Sequence, residues 1–238
     1  MSTSISVPAV AVSGASAGIG LATAEFFAKH GWRVSIAART EKDLAQIHER
    51  WAASYPKQEL LTYVADLTNA AETKQWAAAI EQKFGQLDVL VHNLGHFQPG
   101  TLLDGPADQL ADFFTVNVVS AHQLTRACLP ILKQAGKAQM ITIGSVATTD
   151  WPAPLAAYSL SKYALEGWHR EVSKELQTHN IRTTLVRPGA TFTRSWDGVE
   201  VNPSTLLSAQ QVAEQVGRAV LNAEREYLEE ITIRPASN

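Results

Sequence analysis

The chain has 238 residues, 45% of them hydrophobic and 18% charged, with a formal net charge of −3, enough apolar material for one substantial core and one α/β domain over residues 1–238. That balance lacks the basic stripe or arginine-rich tail of a nucleic-acid binder, no apolar run is long enough to cross a bilayer, and the first dozen residues carry no basic start, so nucleic acid, membrane and export are all excluded as expectations. The single cysteine, Cys128, rules out an intrachain disulfide and is read as a small core residue in a reducing, cytoplasmic compartment.

Apolar runs and helix-period stretches alternate along the chain. A short apolar run at 7–12 leads through Ser13-Gly14-Ala15-Ser16-Ala17-Gly18-Ile19-Gly20 into an apolar-periodic stretch at 19–30, the pattern of strand, glycine turn and helix. Glycine lets a backbone come close to a guest, and the amides and dipole at a helix N-terminus favour negative charge, so the turn is read as a pyrophosphate cradle. Its candidate contacts are Gly14, Ser16, Gly18, Ile19 and Gly20, although the spacing Gly-x-x-x-Gly-x-Gly departs from the common Gly-x-Gly-x-x-Gly fingerprint. Further strands are expected at 33–38, 60–65, 89–92, 139–143, 182–186 and 230–233, and further helices near 41–55, 70–84, 107–134, 156–178 and 209–223. Near-continuous apolar strands imply a parallel sheet, and strict alternation implies a doubly wound, Rossmann-type α/β fold of about seven strands with helices on both faces.

Ligands of such sheets lie beyond the carboxyl ends of the strands. The glycine turn follows the first strand, Arg39 the second, Asp66 the third, Asn93 the fourth, Ser145 the fifth and Pro188 the sixth, so these residues should face one crevice. Tyr158 and Lys162 stand four residues apart at the start of a helical stretch, which puts them on one face with Cβ atoms about 6 Å apart. A fixed positive charge there stabilises phenolate and should lower a tyrosine pKa that is ordinarily about 10, making Tyr158 an acid/base group. Ser145 can hydrogen-bond the oxygen that receives the proton. After the second strand, Ala37-Ala38-Arg39-Thr40 offers no carboxylate for a ribose diol and one arginine for an extra phosphate, so NADP(H) is the preferred cofactor, with NAD(H) still possible.

Taken together, Gly14, Gly18 and Gly20, Asn93-Leu94-Gly95, Asn117, Ser145, Tyr158, Lys162 and Pro188-Gly189 resemble, in order and spacing, the short-chain dehydrogenase/reductase family in its compact branch, over nearly the whole chain. The resemblance implies an oxidoreductase acting on a small carbonyl or alcohol, with catalytic Asn117, Ser145, Tyr158 and Lys162. It implies that Lys162 also contacts the nicotinamide ribose and that Asn117 holds a water leading to solvent. It assigns Asp66 to the adenine amino group, Thr193 to the nicotinamide carboxamide, and Asn93, Gly95, Pro188, Gly189 and Thr191 to the cofactor-binding set. Leu94 stands where the family usually has alanine.

The resemblance puts the substrate over Tyr158 and Ser145, among His96, Phe97, Trp151, Leu155 and Trp196, an aromatic set suited to an apolar ketone or aldehyde; burial in the core or at a subunit contact accounts for Trp151 and Trp196 equally well. His96 is read as a polar rim residue, and no metal site is expected. The loop from Thr193 to Ala209 is short for the family, implying an open site. A homodimer or homotetramer built on the two long central helices is also implied. Two alternatives remain: a non-catalytic NADP(H) sensor of the same fold, and a reductase of 3-oxoacyl chains.

Overall fold

The computed structural model describes residues 7–152, 155–198 and 200–236. Its strands are β1 (Ala9–Ser13), β2 (Arg33–Ala38), β3 (Leu60–Val64), β4 (Val89–His92), β5 (Ala138–Ile143), β6 (Ile181–Pro188), β7 (Thr191–Phe192), β8 (Leu207–Ser208) and β9 (Glu230–Ile233). Its α-helices are α1 (Gly18–Lys29), α2 (Glu41–Ser54), α3 (Ala70–Phe84), α4 (Gln109–Phe114), α5 (Ser120–Gln134), α6 (Ala147–Asp150), α7 (Ala156–Gln177) and α8 (Ala209–Leu221). Seven strands form one parallel sheet in the order β3-β2-β1-β4-β5-β6-β9, while β7 and β8 pair separately. The chain winds outward from β1 to β3 and then restarts at β4 on the other side of β1, which makes the β1/β4 seam the topological switch point.

Side chains alternate across this sheet with period two. From β1, Ala9 and Ala11 face a layer with Trp76 of α3 and Leu124, Cys128 and Ile131 of α5; Val10 and Val12 face the opposite layer with Phe27 of α1, Trp51 of α2 and Val216 of α8. Small residues on one face admit the bulky Trp76, whose indole nitrogen donates to Ser35 Oγ at 2.9 Å inside the core. Cys128 is buried with the rest, and burial pushes its thiol up to about 12, the behaviour of a core residue.

The stretch expected as one helix over 107–134 is helical from Gln109 but interrupted. A π-turn at Thr115–Val119 separates α4 from α5, and the widened turn carries Asn117. The buried positions Gln109, Phe113, Asn117 and Ala121 step by fours before the tighter spacing of Leu124, Cys128 and Ile131 resumes, a local period longer than 3.6. The four-residue α6 and the two-residue strands β7 and β8 are too short for periodicity to reveal. Among the described residues no helix is long and apolar enough to cross a membrane.

Candidate active site

A cleft of about 610 Å³ opens along the carboxyl ends of the strands, and its wall contains the glycine turn, Arg39, Asp66, Asn93, Ser145, Tyr158, Lys162 and Pro188. At the glycine turn, Gly14 and Gly18 adopt φ of 64° and 57°, a region that L side chains rarely occupy. Gly20, expected to touch the cofactor, does not line the cleft. A Cβ there would stand 2.4 Å from Asn93 Nδ2 and 2.5 Å from the Gly14 carbonyl, so its part is close packing of α1 on the turn. Asn93 ties the switch point together: its amide donates to the carbonyls of Ser13 (3.1 Å) and Gly14 (2.9 Å), and its backbone N–H donates to Ser13 Oγ (3.0 Å). Leu94 fits beside it, packed into the core layer below.

Arg39 is exposed at one end of the cleft and has no carboxylate within ion-pair distance among the described residues. Asp66 stands beside this end, and its Oδ1 accepts from both the hydroxyl (2.7 Å) and the N–H (2.9 Å) of Thr68. Those bonds, with Arg39 as a lesser influence, hold the carboxyl below its usual range. Oδ2 has no hydrogen-bond partner among the described residues, so turn formation leaves one oxygen of the side chain free.

At the other end, Tyr158 and Lys162 occupy the first turns of α7, with Nζ 5.9 Å from the phenol ring centre. Lys162 is buried and donates to the Ile143 carbonyl at 2.9 Å. Burial drives it down to about 8, opposed by the Glu166 carboxylate, so at neutral pH it is still mostly ammonium. The expected lowering of Tyr158 is not found. Its pKa is raised, because burial outweighs the hydrogen bond from Ser145. Ser145, two residues past β5, accepts from the Ala147 N–H at 3.1 Å.

Asn117 is buried behind the cleft wall. Its Oδ1 accepts from the His96 N–H (2.7 Å), and its Nδ2 donates to Ser161 Oγ (2.8 Å), whose hydroxyl donates to the Tyr158 carbonyl (2.7 Å). Both ends of the amide are thus taken by protein. A Cβ on Gly95 would lie 3.4 Å from Lys162 Nζ and 3.5 Å from Asn117 Oδ1, so this position sits directly between the two side chains.

Around the phenol, Phe97 meets Tyr158 edge-to-face at 5.0 Å and Trp196 at 6.5 Å, while His96 packs on Phe113 at 5.0 Å. His96, Phe97, Leu155 and Trp196 line the cleft as expected. Trp151 does not: with φ of 44° it closes α6 in the left-handed region, and its half-exposed indole lies against Tyr163 at 5.6 Å. Ser16, Ile19, Gly189, Thr191 and Thr193 also line the cleft. Thr193 caps the short helical turn Arg194–Trp196 by accepting from Ser195 N–H, and Trp196 is fixed by its Nε1 donating to the Thr191 carbonyl at 2.9 Å. Sequence reasoning missed Asp150 and Arg194 on the same wall. Asp150 is gripped bidentately by Arg234 at 2.7 and 2.8 Å, a pairing across 84 residues that no local pattern announces.

A parallel sheet with a glycine turn at its switch point is the dinucleotide-binding architecture of Rossmann-type oxidoreductases, and the phenol–ammonium pair across the same crevice adds an acid/base device to it. The profile of the short chain dehydrogenases matches residues 8–202, and the chain belongs to that family, as a short-chain dehydrogenase/reductase enzyme. An uncharacterised oxidoreductase of Mycobacterium tuberculosis is 34% identical over 192 residues, 80% of this chain and 72% of that one. The agropine synthesis reductase of Rhizobium rhizogenes is 29% identical over 225 residues, 93% of this chain; the chain spans about half of that relative, 51%. A short chain dehydrogenase of Burkholderia cenocepacia, solved in complex with NADP, is 26% identical, covers 97% of each chain and superimposes with a TM-score of 0.86.

Proposed function

We propose that this enzyme reduces an apolar ketone or aldehyde, or oxidises the corresponding alcohol, with NADP(H) as cofactor and Tyr158 as acid/base. The observation that carries this reading is that Ser145, Tyr158 and Lys162 share one cleft with the glycine turn and with Arg39, which has no ion-pair partner among the described residues. The residues fit a phosphorylated dinucleotide: two glycines of positive φ at the head of α1 for the pyrophosphate, the open Oδ2 of Asp66 for adenine, and Arg39 for the extra phosphate. The Burkholderia relative's NADP supports the same nucleotide.

The nicotinamide, when bound, supplies or accepts the hydride. The chain's own residues handle the oxygen. Ser145 Oγ donates a hydrogen bond to the carbonyl oxygen of the substrate, which orients it and favours the negative charge that develops there. Tyr158 gives that oxygen its proton; a pKa held up by burial keeps the phenol loaded at neutral pH until the oxygen becomes basic enough to take it. Lys162, still cationic at neutral pH, balances the phenolate left behind. Asn117 holds the backbone of His96 and, through Ser161, the first turn of α7, keeping these groups in register. Phe97 and Trp196 wall the substrate end with apolar surface and exclude water from the reacting carbon.

A single domain of residues 1–238 in the cytoplasm, assembled as a homodimer or homotetramer, accords with this reading. Exposed Leu110, Val119 and Tyr163 on the two central helical segments support burial against a second copy. The decisive experiment is Tyr158→Phe, scored by NADPH oxidation against a carbonyl panel and by NADPH binding. Turnover should fall roughly 100-fold or more while binding is kept; reduction surviving within about tenfold of the parent enzyme would sink the assignment.

A further inference from the structure

Behind the Tyr158–Lys162 pair lies a cluster of buried charge that the reaction as described does not use. Glu166 stands one turn beyond Lys162 on α7 and is only 4% exposed. Arg187 of β6, also buried, grips it with two parallel bonds, Nε to Oε1 and Nη2 to Oε2, each 2.9 Å, and gives Nη1 to Glu230 of β9 at 2.7 Å. The Thr148 hydroxyl of α6 lies 2.7 Å from Glu166 Oε1 and 2.8 Å from the Ser145 carbonyl, two acceptors sharing one proton. A Cβ on Gly144, the residue before Ser145, would meet Glu166 Oε1 at 3.3 Å. Glu166 therefore touches the serine loop, stands four residues from the lysine along α7 with no ion pair to it among the described residues, and is held by the sheet.

Burying a carboxylate is costly, and an ion pair in such a place adds little stability over apolar packing. The geometry points to Glu166 as a positioning residue for the reaction: its carboxylate, clamped by Arg187, keeps Lys162 in the ammonium form and, through Thr148, fixes the loop that presents Ser145. This inference rests on the reading of Lys162 given above.

The groups around Lys162 leave that task to Glu166. From α7 come Tyr158, Glu166 and, further along, His169; from the π-turn, the Asn117 amide; from the end of β4, the His96 backbone; from β5 and its loop, the Ile143 carbonyl and Ser145; from β6, Arg187. Glu166, although paired with Arg187, is the carboxylate one helical turn from the lysine, while Glu230 on β9 pairs with Arg187 and Arg170. Burial alone favours the neutral amine, and the Glu166 carboxylate opposes it.

The test follows the Lys162 ε-carbon resonance with pH in the full-length enzyme, alongside the alkaline limb of kcat. In the parent enzyme the resonance should titrate near 8; in Glu166→Gln its midpoint and the alkaline limb should both fall by about one pH unit. The double variant Glu166→Gln/Arg187→Gln, which leaves no unpaired guanidinium in the core, should show a displacement of the same sign but smaller, because an opposing positive charge is removed with the carboxylate, and it keeps the test open if the single variant does not fold. Thr148→Val should leave the midpoint in place and lower kcat several-fold with KM for NADPH unchanged. A midpoint unmoved in both glutamate variants overturns the inference. A moved midpoint with an unmoved rate profile overturns instead the role given to Lys162 under the proposed function.

Discussion

Replacing Gly20 by alanine sets two effects against each other in the first turn of α1. Helix propensity favours alanine by about 1 kcal/mol. Against it, the added methyl would stand 2.4 Å from Asn93 Nδ2, 2.5 Å from the Gly14 carbonyl and 3.0 Å from Ala15 Cα. The backbone atoms cannot swing aside, and the Asn93 amide is held by its bonds to the Ser13 and Gly14 carbonyls at 3.1 and 2.9 Å. Displacing that amide loses two hydrogen bonds at about 1 kcal/mol each, and overpacking costs a further 1–3 kcal/mol or so. The clash wins, and Gly20→Ala should lose about 2–4 kcal/mol net. Urea unfolding followed by far-UV circular dichroism measures this directly. Gly167→Ala in α7 is the control: nothing lies within 4 Å of its Cβ position, so propensity acts alone and stability should rise by up to about 1 kcal/mol. A Gly20→Ala protein as stable as its parent would refute the packing argument, because only the propensity gain would then be operating.

Acid should weaken the fold earlier than its carboxylates alone would require. Burial holds His92 at about 3 and His169 at about 4, whereas in the unfolded chain both take up protons near 6.5. Stability from these two is therefore complete above about pH 6.5 and is lost as pH falls toward 4 and then 3; His169→Gln should flatten the decline in urea midpoint between about pH 7 and about pH 5. Ser35→Ala strands the Trp76 indole N–H in a fully buried site and should cost about 1–3 kcal/mol by the same unfolding assay. Arg39→Asp should weaken NADPH roughly tenfold or more while sparing or improving NADH, read from two fluorescence titrations; equal losses for both nucleotides would remove Arg39 from the phosphate site.

The strand ends were legible because apolar runs of β-branched residues mark buried parallel strands, and the residue after each run then falls at the cleft. Gly14, Arg39, Asp66, Asn93, Ser145 and Pro188, several of them first picked out by motif, all fall where that rule places ligand contacts, and the cleft contains them all. Trp151 was misplaced because its left-handed backbone is set by the closure of α6, which no side-chain pattern encodes. Asn117 was found by motif, but its π-turn was not, although the fourfold spacing from Gln109 to Ala121 carries a faint trace of it. The direction of the Tyr158 shift was missed for an electrostatic reason: spacing on a helix reports which groups are near, not how much water they have lost. Glu166 and Arg187 lie 21 residues apart on different elements and look like ordinary surface charges until the sheet brings them together.

The row ending at β9 bears on how molecules of this enzyme behave in a crowd. An outermost strand offers unsatisfied N–H and C=O groups to any passing chain, the usual start of ribbon-like clumping. Here that rim is four residues long, begins with the charged Glu230 and stops two residues before Pro235, which has no N–H to offer, while the intervening Arg234 is turned back onto Asp150. A foreign strand meets too short a template to zip onto, so the sheet terminates cleanly at this rim.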